Sequence, residues 1–236
     1  MGESRPNNRL LSLLPAADYA RLQPQLQPVS LELKKVLMQP QQPIDYVYFP
    51  TRGMISSVTV MSDGACIEAA TVGNEGASGA SVALGEFDSI HRNLVQLPGE
   101  ALRVSAKWLA KACSESTAMR QLLIKYHLLF VTQVSQSVAC NGLHLIAQRC
   151  CRWLLVSHDR AQTDEIPLTH EFLAMMLSVR RPSVTLVLQP LQERGLIKCD
   201  RGAITILNRR EMEVISCECY QHIQDEYARL LGVSAC

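Results

Sequence analysis

Near residue 106 the apolar pattern of this chain changes period, from alternation at every second residue to recurrence at every three or four. A period of two belongs to strands with one buried face and a period of about 3.6 to helices, so the two halves must fold as different kinds of structure. Val29-Ser-Leu31-Glu-Leu33 and Ile55-Ser-Ser-Val58-Thr-Val60 show the first pattern. It predicts short strands over 29–33, 36–38, 46–49, 55–60, 66–71, 94–97 and 101–104, after two helices over 9–14 and 17–26. Turn signals separate them: Pro40 to Pro43, Thr51-Arg-Gly53, Ser62-Asp-Gly64, Gly73-Asn-Glu-Gly76 and Pro98-Gly99. Many short strands at this spacing read as a sandwich, roll or barrel.

Beyond the change, 106–113 reads as a short helix and 117–140 as a long one. The long one is apolar on almost every face, where a surface helix has a single stripe. Leu122, Tyr126, Leu129 and Gln133 fall on alternating four- and three-residue steps, the spacing of a seam with a second helix. Leu123, Phe130 and Val134 are left to cover the strands. The competing reading is one core helix buried on all sides within a monomer. Asn141-Gly142 is read as a helix break and hinge before a helix over 143–159. The domains expected are therefore 1–115, an α+β entry domain; 116–141, the long helix and hinge; and 142–236, a helical domain.

Residues 164–207 carry the most specific signal. Thr169 is a good helix N-cap, with Glu171 in the first turn, and Phe172, Leu173, Met176 and Leu177 form the inward face of a two-turn helix. This helix stops near Ser178-Val179, and another begins around Arg180–Arg181 with Pro182 in its first turn, where proline is tolerated. Val184, Val187, Leu188 and Leu191 fit the i, i+3, i+4, i+7 template, Gly195 ends the helix, and 196–198 and 203–207 pair around Cys199-Asp-Arg-Gly202. Two helices across a short turn and a hairpin make a winged helix-turn-helix. Burying the apolar face turns Pro182, Leu186 and Gln189 outward, with Arg181 and Ser183 near the helix N-terminus, a shape that enters a major groove about 12 Å wide. Arg181 can bind guanine O6 and N7 in bidentate fashion. Arg180, Ser183, Thr185, Lys198 and Arg201 can reach phosphates, with Thr169 and His170 approaching from the preceding helix. Pro190 lies inside the second helix, where it removes the hydrogen bond to the Leu186 carbonyl and predicts a kink or an early end.

The overall charge is +1, from 23 basic and 22 acidic residues, but residues 166–210 hold seven basic residues against three acidic ones. The average therefore conceals a local positive field. Nine cysteines without a CxxC pair give neither a secreted disulfide framework nor a zinc ribbon, and no apolar run suffices for a membrane span. A reduced, cytoplasmic protein with no metal site and no membrane partner is expected. Cys217-x-Cys219 and His222 fall on a helix predicted over 209–231, where their i, i+3 to i+5 spacing could bring two ligands together, but the favoured reading is small buried cysteines and a surface histidine.

From Leu168-Thr-His-Glu-Phe to Gln192-Glu-Arg-Gly-Leu-Ile197, and in the order of elements over 9–210, the chain resembles the cyclic-AMP receptor protein/FNR (Crp/Fnr) superfamily of bacterial transcription regulators. The resemblance implies an α+β fold: a cyclic-nucleotide-binding-like β-roll, a long dimerisation helix and a winged helix-turn-helix. It implies a non-enzymatic homodimer on double-stranded DNA with a two-fold-symmetric operator, and RNA polymerase as a further partner. Arg181 aligns with the family's guanine-reading arginine and Ser183 with its phosphate-contacting hydroxyl. Pro182 and Leu186 replace polar base readers. The effector stretch maps to Gly79, Ala80, Ser81, His91, Arg92 and Asn93, but Ala80 replaces the ribose-binding glutamate and His91-Arg92 the Arg-Ser pair, which speaks against cyclic AMP. The iron–sulfur branch needs clustered N-terminal cysteines, and the first here is Cys66. The effector and any cofactor thus stay open. Two further readings stand beside this one: a nucleotide or redox sensor acting through protein contacts, and a thiol enzyme using Cys150 or Cys151 with His144.

Overall fold

In the computed structural model, which describes residues 5–232, two short helices, α1 (Arg9–Ser12) and α2 (Ala16–Leu22), lead into an antiparallel sheet. Its strands are β1 (Gln27–Leu31), β2 (Val36–Met38), β3 (Tyr46–Val60), β4 (Cys66–Val72) and β5 (Arg92–Ser105), in the order β1-β5-β3-β4 with β2 also on β5. Helix α3 (Ala106–Glu115) follows, then α4 (Thr117–Leu143) and α5 (Ile146–Ala161). The last part contains β6 (Glu165–Pro167), α6 (His170–Met176), α7 (Arg181–Glu193), β7 (Ile197–Asp200), β8 (Ala203–Ile206), α8 (Arg209–Ile215) and α9 (Cys219–Leu231). This is an α+β architecture of β-domain, long helix and winged helix-turn-helix.

The sequence predicted four strands where β3 and β5 are two long ones. Its turn signals Thr51-Arg-Gly53 and Pro98-Gly99 lie opposite each other in the β3–β5 ladder, whose register shifts between Pro50 and Ile55. The glycines permit this contact. A Cβ on Gly99 would sit 2.2 Å from the Arg52 carbonyl oxygen, and Gly53 has a φ of +88°. They mark a shared bulge where the chain bends without leaving the sheet.

Helix α4 buries Met119, Leu123, Tyr126, Leu129, Gln133, Ser137 and Cys140 along one stripe. Three members of the expected inter-helix seam, Tyr126, Leu129 and Gln133, thus face the protomer's own core, and Leu122 is half-buried beside them. Gln133 explains the inward turn of a polar residue: its Oε1 accepts the backbone N–H of Thr71 at 2.5 Å. A second stripe stays exposed instead, with Leu128 at 52%, Val131 at 48% and Val138 at 69% exposure. The expected break at Asn141-Gly142 does not occur, since α4 runs on to Leu143.

The helix predicted over 209–231 is two helices, α8 and α9, with Ser216, Cys217 and Glu218 between them. Helix α9 turns back across α4, and Tyr227 joins the core of the first domain. The reverse exchange also occurs: Met54 and Leu97, at the shared bulge, belong to the core built by α5, α6 and α7.

A buried ion pair joins the two cores. Arg160 of α5 meets Glu75 at 2.6 Å through Nη2 and at 3.3 Å through Nε, and also donates to Thr71 Oγ1. Their side chains are 7% and 1% exposed. Close by, Trp153 Nε1 donates to Glu68 Oε1 at 3.0 Å and Ser56 Oγ to its Oε2 at 2.7 Å. Burial nevertheless pushes the Glu68 carboxyl up to about 7.

Removing one partner leaves an uncompensated buried charge, so Arg160→Met should lose about 3–5 kcal/mol in urea unfolding. Adding Glu75→Leu should return part of that loss; an additive double variant would refute the pairing. For Glu68, the folded state holds the proton up to about pH 7, whereas the unfolded chain releases it near 4.5. Stability from this group is therefore complete below pH 4.5 and falls as pH rises towards 7, by roughly 2 kcal/mol after allowing for partial exposure. Unfolding curves of Glu68→Gln across that window should lack this slope.

Candidate functional site

The helix-turn-helix is built from local capping and one buried arginine. Thr169 Oγ1 accepts the backbone N–H of Phe172 at 3.2 Å and starts α6, whose Leu173, Ala174 and Met176 face inward. Ser178 takes a left-handed conformation, with φ of +52°, and sends the chain into the next helix. At this turn Arg149 of α5 donates to the Leu177 carbonyl at 2.5 Å. That bond satisfies one of the carbonyls that every helix end leaves open.

Helix α7 buries Val184, Leu188 and Leu191, with Val187 half-buried, and presents Arg181, Pro182, Thr185, Leu186 and Gln189 to solvent. Its N-cap residue, Arg180, makes no side-chain cap; Pro182 has no N–H and Ser183 N–H donates to the Arg180 carbonyl at 2.9 Å, which leaves the Arg181 N–H to an acceptor outside the chain. Pro190 does not end the helix, which continues to Glu193. Leu186 and Pro190 share the exposed face, where water can serve the carbonyl that proline leaves unbonded.

The structure brings most of the predicted contact residues onto one surface and distinguishes their states. Arg180, Arg181 and Arg201 are exposed and form no ion pair among the described residues. Arg201 stands with Gly202 at the tip of the β7–β8 hairpin, and β6 completes a three-stranded wing. Lys198 is held by Asp200 at 2.9 Å, and Gln189 Nε2 donates to Glu193 at 2.9 Å. Thr185 Oγ1 lies 3.4 Å from His170 Nδ1 and equally far from the Arg181 carbonyl. Ser183 and His170 are half-buried, and the Thr169 hydroxyl is already engaged as the α6 cap.

In the β-domain, Gly79, Ala80, Ser81, His91 and Asn93 line one cavity, which Tyr126, His127 and Phe130 of α4 close. Arg92 does not join them. Its Nε donates to Gln39 at 3.0 Å, and it faces a groove shared with Thr169 and Phe172 of α6. The cavity holds about 70 Å³, far below the roughly 300–1,000 Å³ of small-molecule sites, and no arginine or lysine lines it. Burial lowers the pKa of both His91 and His127.

The sequence reading paired Cys217 and Cys219 with His222 and missed their partners. Cys140, His144, Cys217 and Cys219 converge where the end of α4 meets the α8–α9 corner, and their ligand atoms all lie within 4.8 Å of one another. The Cys217 thiol, hydrogen-bonded to Cys140, draws the Cys140 pKa down, and its own rises in return. His222, expected on the same helix as Cys217 and Cys219, is exposed and outside the group. The available signal was two short spacings, Cys140-x3-His144 and Cys217-x-Cys219, which only the fold brings together. Cys150 and Cys151 are buried in the helical core, and burial raises both thiols, so the structure gives no support to a thiol nucleophile there.

Residues 148–215 match the family model of the Crp-like helix-turn-helix domain. No curated protein matches the chain significantly. Among solved structures it resembles FixK2 from Bradyrhizobium japonicum, at 16% identity and a TM-score of 0.70 over 81% of this chain and 98% of that one. It is also similar to a CRP-family transcriptional regulator from Thermus thermophilus (16%, TM-score 0.65, 80% and 96% covered). A third is the c-di-GMP responsive global regulator CLP of Xanthomonas campestris (15%, TM-score 0.62, 81% and 99% covered). At these identities the shared property is the fold.

Proposed function

We propose that this chain is a DNA-binding transcription regulator of the Crp/Fnr family, that it reads a two-fold-symmetric operator as a homodimer, and that it takes its signal at the β-domain. The observation that carries the reading is the N-terminal face of α7: Arg180 and Arg181 are exposed and form no ion pair among the described residues, on a helix whose other face is sealed in a core. Arg181 is placed for guanine, Arg180 and Arg201 for phosphates, and the apolar pair Pro182 and Leu186 for thymine methyl groups. Leu186 is 71% exposed, so burial among the described residues does not explain a leucine there.

The dimer forms through the exposed stripe of α4. Ile124, Leu128, Val131, Ser135 and Val138 repeat at steps of four and three, the spacing of a two-helix seam, and none is buried by the protomer. Two-fold pairing of these helices sets two α7 helices against half-sites about 34–36 Å apart. The small cavity without a fixed cation supports a controlling signal other than an anionic nucleotide.

Selection from random duplexes with the full-length protein should enrich a palindrome; enrichment of nothing at low salt would refute the DNA reading. Against the selected site, Arg181→Ala should cost about 1–3 kcal/mol and relax preference at one base pair. Arg201→Ala should instead weaken all sequences alike and lower the salt slope by about 1. In light scattering, Leu128→Glu with Val131→Glu should yield monomers, whereas Leu122→Ala, whose side chain packs within the protomer, should stay dimeric. Dimers from both proteins would move the interface off α4.

A further inference from the structure

The corner where α4, α8 and α9 meet contains a group of side chains that the DNA reading does not use. Cys140 lies in the last turn of α4, His144 is its C-cap residue, and Cys217 and Cys219 flank the start of α9. Cys140 Sγ is 3.6 Å from Cys217 Sγ, and Cys219 Sγ is 3.4 Å from His144 Nδ1. A tetrahedral zinc ion, with Zn–S near 2.3 Å and Zn–N near 2.0–2.1 Å, spaces its ligand atoms by about 3.4–3.8 Å. These two separations match that spacing, and since all four ligand atoms lie within 4.8 Å of one another, a small contraction places them round a single ion. The three thiols are buried and form a core cluster of their own, with no aliphatic side chain in it.

The surroundings also match those of a metal site. The other ring nitrogen of His144, Nε2, lies 3.2 Å from Glu218 Oε1, the carboxylate partner that orients a ligating imidazole. Gln136 Nε2 points at Cys219 Sγ from 3.0 Å, which suits a thiolate better than a thiol. Arg149 and Arg152 act electrostatically on Cys140, and the Nε of each is buried without a hydrogen-bond partner. Three thiolates, a neutral imidazole and a divalent ion carry a net charge of −1, which these guanidinium groups offset.

We propose that Cys140, His144, Cys217 and Cys219 bind one Zn²⁺ in a closed tetrahedral Cys3His site. The ion clamps the end of α4 to the α8–α9 corner, across the short link that joins α4 to the helix-turn-helix domain. With four protein ligands no position stays open for substrate, so the site is structural. Ligand atoms this close together suit one ion rather than a multi-iron cluster. The proposal does not depend on DNA binding, because its readout is metal stoichiometry and geometry in the absence of DNA.

The test uses the full-length protein, stripped by a chelator under reducing conditions and then titrated with Zn²⁺ alone or Co²⁺ alone. One equivalent of zinc per chain should survive gel filtration. Cobalt should give the thiolate charge-transfer band and the intense visible bands of a tetrahedral site. Cys219→Ser should weaken zinc binding by roughly 100-fold or more and Glu218→Gln by about 10-fold, whereas Cys66→Ser, distant from the site, should change nothing. If Cys219→Ser does not fold, His144→Ala, at a ring that reaches the surface, and the cobalt spectrum of the unaltered protein decide the matter. No retained zinc, an octahedral cobalt spectrum, equal affinity in His144→Ala, or iron with acid-labile sulfide after anaerobic reconstitution would each overturn the site.

Discussion

The buried bond between Arg160 and Glu75 holds together two cores that the chain builds from different periodicities. An ion pair with both members almost inaccessible is a poor source of net stability, because desolvation consumes most of the attraction. Its effect is specificity of arrangement. Once Arg160 enters the β-domain, α5 must lie against the β3–β5 bulge, where Met54 and Leu97 complete the helical core. The recognition helix packs on α5, so its direction relative to the sheet follows from this contact.

Helix α4 works on two sides for the same reason. Its inward stripe is committed to the β-domain by Tyr126, Leu129 and the Gln133–Thr71 bond, which leaves a separate apolar stripe exposed. Tyr126 also closes the small cavity of the β-domain. A change in that cavity would therefore act directly on the helix that carries the exposed stripe, and through its C-terminal end on the cysteine–histidine corner. The β-domain cavity, the exposed stripe and the α8–α9 corner all lie along this one helix.

The alternation of 29–33 and 55–60 announced strands, and the switch at residue 106 announced helices. The 168–197 stretch announced the helix-turn-helix down to its Thr169 cap and its buried Val184, Leu188 and Leu191. These features are local: each depends on periodicity or capping within a few turns of chain. Gly53 and Gly99 were misread as turns because glycine signals equally a reversal or a close backbone approach, and the partner strand decides between them. The expected α4 seam lies mostly within the protomer's own core, because a helix apolar on all faces offers several heptad registers and only the β-domain shows which one it occupies.

Arg92 and the cysteines make the same distinction for the sites. In sequence, Arg92 belongs with His91 and Asn93, but alternation along β5 points it to the opposite face of the sheet. Cys140 and Cys217 are 77 residues apart and meet only because α9 folds back over α4. The sequence by itself determined the class of each half, the helix-turn-helix and the face it presents, since these follow from the period of apolar residues and the chemistry of helix ends. The tertiary structure alone decided which α4 stripe is free, that Arg92 leaves the cavity, and that four ligating side chains share one corner. Those outcomes rest on contacts between distant segments, and no local pattern encodes a distance across the fold.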